Sequence, residues 1–164
     1  MRNALVLFDS EYGNTKQVAQ AVAAALRPEF SVRLVQVEDD DPAGEGKAEL
    51  IFVGGPTHRR RMSRRLRGWF ALQPRKALKG VGIAAFGTRY RMSAWLSGSA
   101  AKEIARRLRK LGGRPVLPPE DFFVEQDLPP EGQKRRHERE RMEAGELERA
   151  AAWAVKVAEA AAEG

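Results

Sequence analysis

The chain of 164 residues contains no cysteine and only two histidines, His58 and His137. Without thiols there can be no disulfide framework, no thiolate metal site and no cysteine nucleophile. Two histidines do not make a histidine-rich metal centre, so no metal ligand set and no catalytic side chain is assigned. The missing cysteine is compatible with the cytoplasm. No segment approaches the ~18 uninterrupted apolar residues of a membrane span. Met1-Arg2-Asn3 ahead of Ala4 to Phe8 makes a poor signal peptide, because the apolar run is short and Asp9 and Glu11 follow at once. The expectation is therefore a cytoplasmic chain with no membrane span. Nucleotide motifs are missing too. Gly46-Lys47 is followed by Ala48, which breaks a Walker A pattern, and Gly80-Val81-Gly82 lacks the third glycine of a dinucleotide loop. Nor is there an excess of acid: 29 Lys and Arg face 22 Asp and Glu, a formal charge of +7. Such a chain is drawn to anionic partners or surfaces.

What is present alternates between strand and helix patterns. Ala4 to Phe8 is a continuous apolar run, as in a strand buried on both faces. Val18, Val22, Ala25 and Leu26 have helical spacing within Thr15 to Leu26. Phe30 to Val37 mixes polar and apolar residues and suits an edge strand. Asp39 to Lys47 reads as a loop, with any helix there short or absent. Leu50 to Val53 is strand three, closed by Gly54-Gly55-Pro56. Ser63 caps a helix through Leu66, Trp69, Phe70 and Leu72. Val81 to Phe86 is strand four. Ser99 to Leu111 is an amphipathic helix ended by Gly112-Gly113. Val116-Leu117 and Phe122 to Val124 are two halves of a last, short or edge strand broken by Pro118-Pro119. Gln133 to Ala162 is helix-forming. Its charged start, about residues 131–143, reads as a solvated helix or an insertion, and its apolar second part as the packed final helix. Five strand candidates alternating with helices imply one α/β domain over residues 1–164, a three-layer αβα sandwich on a parallel sheet. Trp69, Phe70 and Trp153 are candidates for core or for an interface between copies in a homo-oligomer.

The most informative segment joins strand one to the first helix: Asp9-Ser10-Glu11-Tyr12-Gly13-Asn14-Thr15-Lys16. A strand turning directly into a helix aims unpaired N–H groups and a positive dipole end at one point, a geometry that binds phosphate. Ser10, Asn14 and Thr15 can add side-chain donors. The plainer alternative is a capped turn with Asn14 or Thr15 as N-cap. Asp9 invites comparison with phosphotransfer receivers, but their second aspartate after strand three is replaced here by Gly54-Gly55.

Ser10-Glu11-Tyr12-Gly13-Asn14-Thr15 resembles the FMN-phosphate loop of flavodoxins, written T/S-x-T-G-N-T, with Tyr12 in place of the middle threonine. A tyrosine there is also similar to the loop of flavodoxin-fold quinone oxidoreductases. Gly55-Pro56-Thr57 resembles the family's G-x-P-T loop after strand three. The resemblance implies a five-stranded parallel sheet of order 2-1-3-4-5, with ligand at the carboxyl ends of strands one, three and four. It implies FMN as cofactor, with the phosphate at Ser10 to Thr15. Pro56, Thr57 and His58 would meet the ring edge, and Gly87, Thr88, Arg89, Tyr90 and Trp95 would cover the ring's other side. His58 reads as a ring contact or an exposed loop residue. Tyr90 and Trp95 read as stacking groups, or, for Trp95, as packing on the next helix. Arg89 reads as a counter-charge to reduced flavin or a surface arginine. The cluster Arg59, Arg60, Arg61, Arg64, Arg65 and Arg67 is either a solvated helix face or a source of positive field beside the flavin.

Two functions follow. One is an FMN-binding redox protein, an electron carrier or a flavin-dependent reductase of the quinone-reductase kind, with a nicotinamide cofactor or a redox protein as partner. The other is a flavin-free module of the same fold, whose arginines bind a polyanion with steep salt dependence. Nucleic acid is the less favoured partner, because no aromatic platform interleaves the arginines.

Overall fold

The computed structural model describes residues 1–38, 47–92 and 94–164, so the expected loop from Asp39 falls, save for Lys47, outside the described residues. Five parallel strands form the body of one sheet: β1 (Arg2–Phe8), β2 (Phe30–Gln36), β3 (Leu50–His58), β5 (Gly82–Tyr90) and β7 (Glu120–Glu125). Their order is β2-β1-β3-β5-β7, the 2-1-3-4-5 arrangement expected from the sequence. Three two-residue strands complete it. β4 (Arg61–Met62) folds back on β3, β6 (Arg114–Pro115) pairs with β5, and β8 (Arg141–Met142) lies antiparallel to β7. The prolines at 118 and 119 separate β6 from β7, and both halves pair with β5 at successive registers.

Alternation along the strands sorts the core into two layers. Ala4, Val6 and Phe8 of β1, Phe52 of β3 and Phe86 of β5 point to one side. There they meet α1 (Asn14–Leu26) and α5 (Glu146–Glu163). Leu5, Leu7, Ile51, Val53 and Ile83 point to the other, against α2 (Arg64–Leu72) and α4 (Ala100–Lys110). Each fully buried Val, Leu or Phe contributes roughly 1.5–3 kcal/mol of transfer free energy. Trp153 of α5 stands edge-on to Phe52, Phe86 and Phe122. It is buried, as are Trp69 and Phe70, so all three are core residues rather than interface residues.

The helix boundaries have local causes. Ser63 and Ser99 accept from the N–H groups of Leu66 and Lys102, capping α2 and α4. At the end of α4, Gly112 and Gly113 donate back to Arg109 and Leu108.

Three expectations need correction. β3 does not stop at Val53. It runs through Gly54, Gly55 and Pro56, because those residues pair with Phe86, Gly87 and Thr88 of β5. Gly54 is required by contact rather than by a turn: a Cβ there would lie 2.0 Å from the Phe86 ring. For the same reason Gly87 to Tyr90 continue β5 instead of opening a loop. Finally, residues 133–143 are not a helix. They form a strap with a single 3-10 turn (His137–Arg139) leading into β8, and Gly145 starts α5. The strap lacks an apolar stripe to bury as a helix.

Candidate functional site

The carboxyl ends of β1, β3 and β5 converge on a cavity of about 430 Å3. This is the edge where open α/β sheets bind ligands.

The floor comes from the β1–α1 turn. Ser10 Oγ accepts from the N–H groups of Gly13 (3.1 Å) and Lys16 (3.3 Å) and holds the turn in shape. Gly13 takes φ +92°, the left-handed region that costs glycine nothing, and stands as N-cap without a side-chain bond. Neither Asn14 nor Thr15 therefore caps the helix. Their N–H groups take no acceptor among the described residues, and the positive end of α1 stays open. Thr15 Oγ1 lies 2.8 Å from Thr88 Oγ1, both buried, which ties the turn to the end of β5. The Asn14 amide donates to the Glu140 carbonyl at 3.4 Å. These uncharged donors suit a phosphate group.

One wall is the β3–β4 hairpin. Pro56, Thr57 and His58 line it, and His58 Nε2 pairs with Glu11 at 2.8 Å. The two-residue turn is Arg59-Arg60, both left-handed at φ 45° and 72°. Such a turn matches strand twist but is normally built from Asn or Gly. For arginine it costs roughly 1–2 kcal/mol per residue.

The opposite wall is the end of β5 with the strap behind it. Tyr90 Oη donates to Glu140 Oε2 at 2.5 Å and lies 3.2 Å from His137 Nδ1. Arg135 bonds the same carboxylate and covers one face of the Tyr90 ring at 4.7 Å. Burial, then the bond to Glu140, pushes the Tyr90 hydroxyl well above the ordinary tyrosine value, so it stays protonated. Burial alone would raise Glu140. The bonds from Tyr90, His137 and Arg135 outweigh it and hold Glu140 below the ordinary carboxylate value. His137 stacks on Tyr12, centroids 5.3 Å apart and planes 16° off parallel.

Of the residues singled out in the sequence, Ser10, Glu11, Tyr12, Asn14, Thr15, Pro56, Thr57, His58, Thr88, Arg89 and Tyr90 line this cavity. Gly13 and Gly87 shape the backbone behind it. Arg89 is not a surface arginine. It is clamped to Asp121 at 3.0 Å and to the Met92 carbonyl and Ser97 hydroxyl. Trp95 neither lines the cavity nor packs on a helix; it is 78% exposed on a single helical turn, α3 (Ala94–Ser97). Sequence reasoning missed His137 and Glu140. Pro129-Pro130 and Gly132, which interrupt helix just before them, were the available signal.

The family model for flavodoxin matches residues 6–153. The chain belongs to the flavodoxin family. Its fold is similar to oxidised flavodoxin 1 from Bacillus cereus (19% identity, 96% of this chain and 97% of that one, TM-score 0.73). It is similar to a flavodoxin from the domain Archaea (21% identity, 98% and 99%, TM-score 0.70). It is also similar to a WrbA-like flavodoxin from Agrobacterium tumefaciens (18% identity, 99% and 99%, TM-score 0.69). At these identities the likeness establishes the fold. No curated protein matches the chain. Family membership supports an FMN-binding redox protein at the level of the family, and among the described residues no helix is long and apolar enough to cross a membrane.

Proposed function

We propose that this flavodoxin-family chain binds FMN in the cavity between β1, β3 and β5 and works as a cytoplasmic redox protein. The observation that carries the reading is the open end of α1. The unpaired N–H groups of Asn14 and Thr15 sit beside the Thr15–Thr88 hydroxyl pair at the base of a cavity of about 430 Å3. Phosphate belongs there, because dipole and donors point to one place. The ring belongs between the His58 hairpin and the Tyr90 wall. Bound FMN supplies one- or two-electron chemistry.

The chain's own groups set the conditions. Tyr90 keeps its proton on Oη, bonded to Glu140. The Tyr12–His137 stack shields part of the mouth from water. Arg59 and Arg60 put positive charge on the hairpin side, which favours negative charge on a reduced ring.

Thr15→Val and Asn14→Asp test the phosphate assignment. Each is expected to weaken FMN binding by roughly tenfold or more, the worth of about one hydrogen bond to a charged group, in a fluorescence-quenching titration. Riboflavin, which lacks the phosphate, should bind both variants as it binds the parent. Equal FMN affinity in parent and variants would remove the phosphate site.

A further inference from the structure

The charge of +7 is not spread over the molecule. Residues 59–111 hold sixteen Lys or Arg and a single acid, Glu103. The remaining residues hold thirteen basic and twenty-one acidic side chains, so the chain is strongly polar in the electrostatic sense. The helices of that region, α2 and α4, cover the same side of the sheet. A recess of about 400 Å3 beside the start of α2, lined by Arg59, Arg61, Arg64, Arg67, His58 and Glu11, shares His58, Arg59 and Glu11 with the main cavity. The basic face therefore reaches the cavity mouth.

At the mouth the surface becomes apolar. Trp95 (78%), Leu96 (54%) and Met92 (45%) are exposed beside the hairpin, with Tyr12 on the other rim. The position of Trp95 is built: the Arg60 guanidinium donates to its carbonyl, and Arg60 bridges to Gly98. The left-handed Arg59-Arg60 turn thus fixes the segment that presents the indole. Exposed Trp and Met within an arginine border is the composition of a protein-docking surface, an apolar centre with a charged rim. A bare charged face would have no use for the apolar centre.

The geometry points to a docking site for an acidic, one-electron redox protein, with Trp95 as apolar anchor and the α2 arginines as electrostatic guide. The redox class of the partner rests on the flavin reading; its sign and anchor rest on the surface alone. Each encounter moves one electron between the partner's metal centre and the ring, one oxidised as the other is reduced. Charge complementarity of this kind speeds encounter and weakens with salt.

The test is a binding titration of the FMN-soaked chain with an acidic plant-type [2Fe–2S] ferredoxin at about 20 mM and about 500 mM salt, where the screening length falls several-fold. Cytochrome c, a basic redox protein, and a single-stranded DNA oligonucleotide serve as comparison probes. The proposal expects micromolar ferredoxin binding at low salt, loss at high salt, and no cytochrome c binding. It expects roughly tenfold weakening in Arg64→Glu/Arg67→Glu and in Trp95→Ala, the size of one good rim or anchor contact. Absent ferredoxin binding, equal cytochrome c binding, or an unchanged Trp95→Ala variant overturns it. DNA binding tighter than ferredoxin and indifferent to Trp95 would assign the face to nucleic acid instead. Flavin content, read from the absorbance of each sample, reports separately on the FMN reading.

Discussion

The two faces of the sheet solve the same packing problem and then diverge. Toward α1 and α5, Phe8, Phe52, Phe86, Phe122 and Trp153 make an aromatic layer. Toward α2 and α4, Leu7, Ile51, Ile83, Leu66 and Ile104 make a mainly aliphatic one, which also holds Trp69 and Phe70. Both are fully buried. The helices differ in charge: α1 and α5 carry three basic and four acidic residues along their length, whereas α2 and α4 carry eight basic and one acidic. Stability is owed to the inner sides of both pairs, and the field around the cavity mouth to the outer side of one. Repulsion among the arginines is tolerated because exposed charges are screened.

The largest effects should come from the inner sides, and should be similar on both. Phe86→Ala is expected to cost about 3–5 kcal/mol and Ile104→Ala about 2–5 kcal/mol in urea unfolding. A much smaller loss at either site would break the symmetry of the two layers. Next comes the strap, which belongs to neither face. Glu140→Gln removes the ion pair with Arg135 and weakens the acceptor for Tyr90. We expect a local loss of about 1–3 kcal/mol, seen as faster hydrogen exchange over residues 135–143 with the helices unaffected. Uniform acceleration would mean that the strap is no separate unit.

Acid should act on the same contacts. Glu140 and Glu146 both sit below the ordinary carboxylate value, so the folded state binds fewer protons than the unfolded chain. Their stabilisation is fully present above the unfolded value, about 4.3. It is lost as pH falls through the lowered folded values. Unfolding midpoints should therefore hold steady from neutrality down to mildly acidic pH as far as these groups are concerned, and decline below. A decline already centred near neutrality would contradict this assignment. The smallest effect belongs to the basic surface: Arg64→Gln with Arg106→Gln should change stability by no more than about 0.5 kcal/mol, while lowering the salt sensitivity of anion binding.

Much of this architecture was readable without coordinates. Apolar runs and capping serines mark the strands and helices, and the donor-rich turn at Ser10 to Thr15 marks the cavity floor. The errors have a common cause, in that local punctuation was overruled by a neighbour. Gly54-Gly55-Pro56 looks like a turn, yet β5 supplies partners that keep it extended, and the Phe86 ring explains the glycine. Charge-rich residues 133–143 have helical composition, yet Glu140 finds Tyr90 across the cavity wall and is held there with His137 and Arg135 of its own strap. Sequence distance hides such a contact, since Tyr90 and Glu140 are fifty residues apart. Trp95 was a fair aromatic candidate, and only its exposure in the fold shows that it faces outward.

The most direct test of the central claim is a visible absorption spectrum of the purified chain, taken after soaking with FMN and desalting. The account predicts flavin bands retained at close to one per chain. A correctly folded chain that emerges colourless would contradict it, leaving the fold in place and the cavity without its proposed ligand.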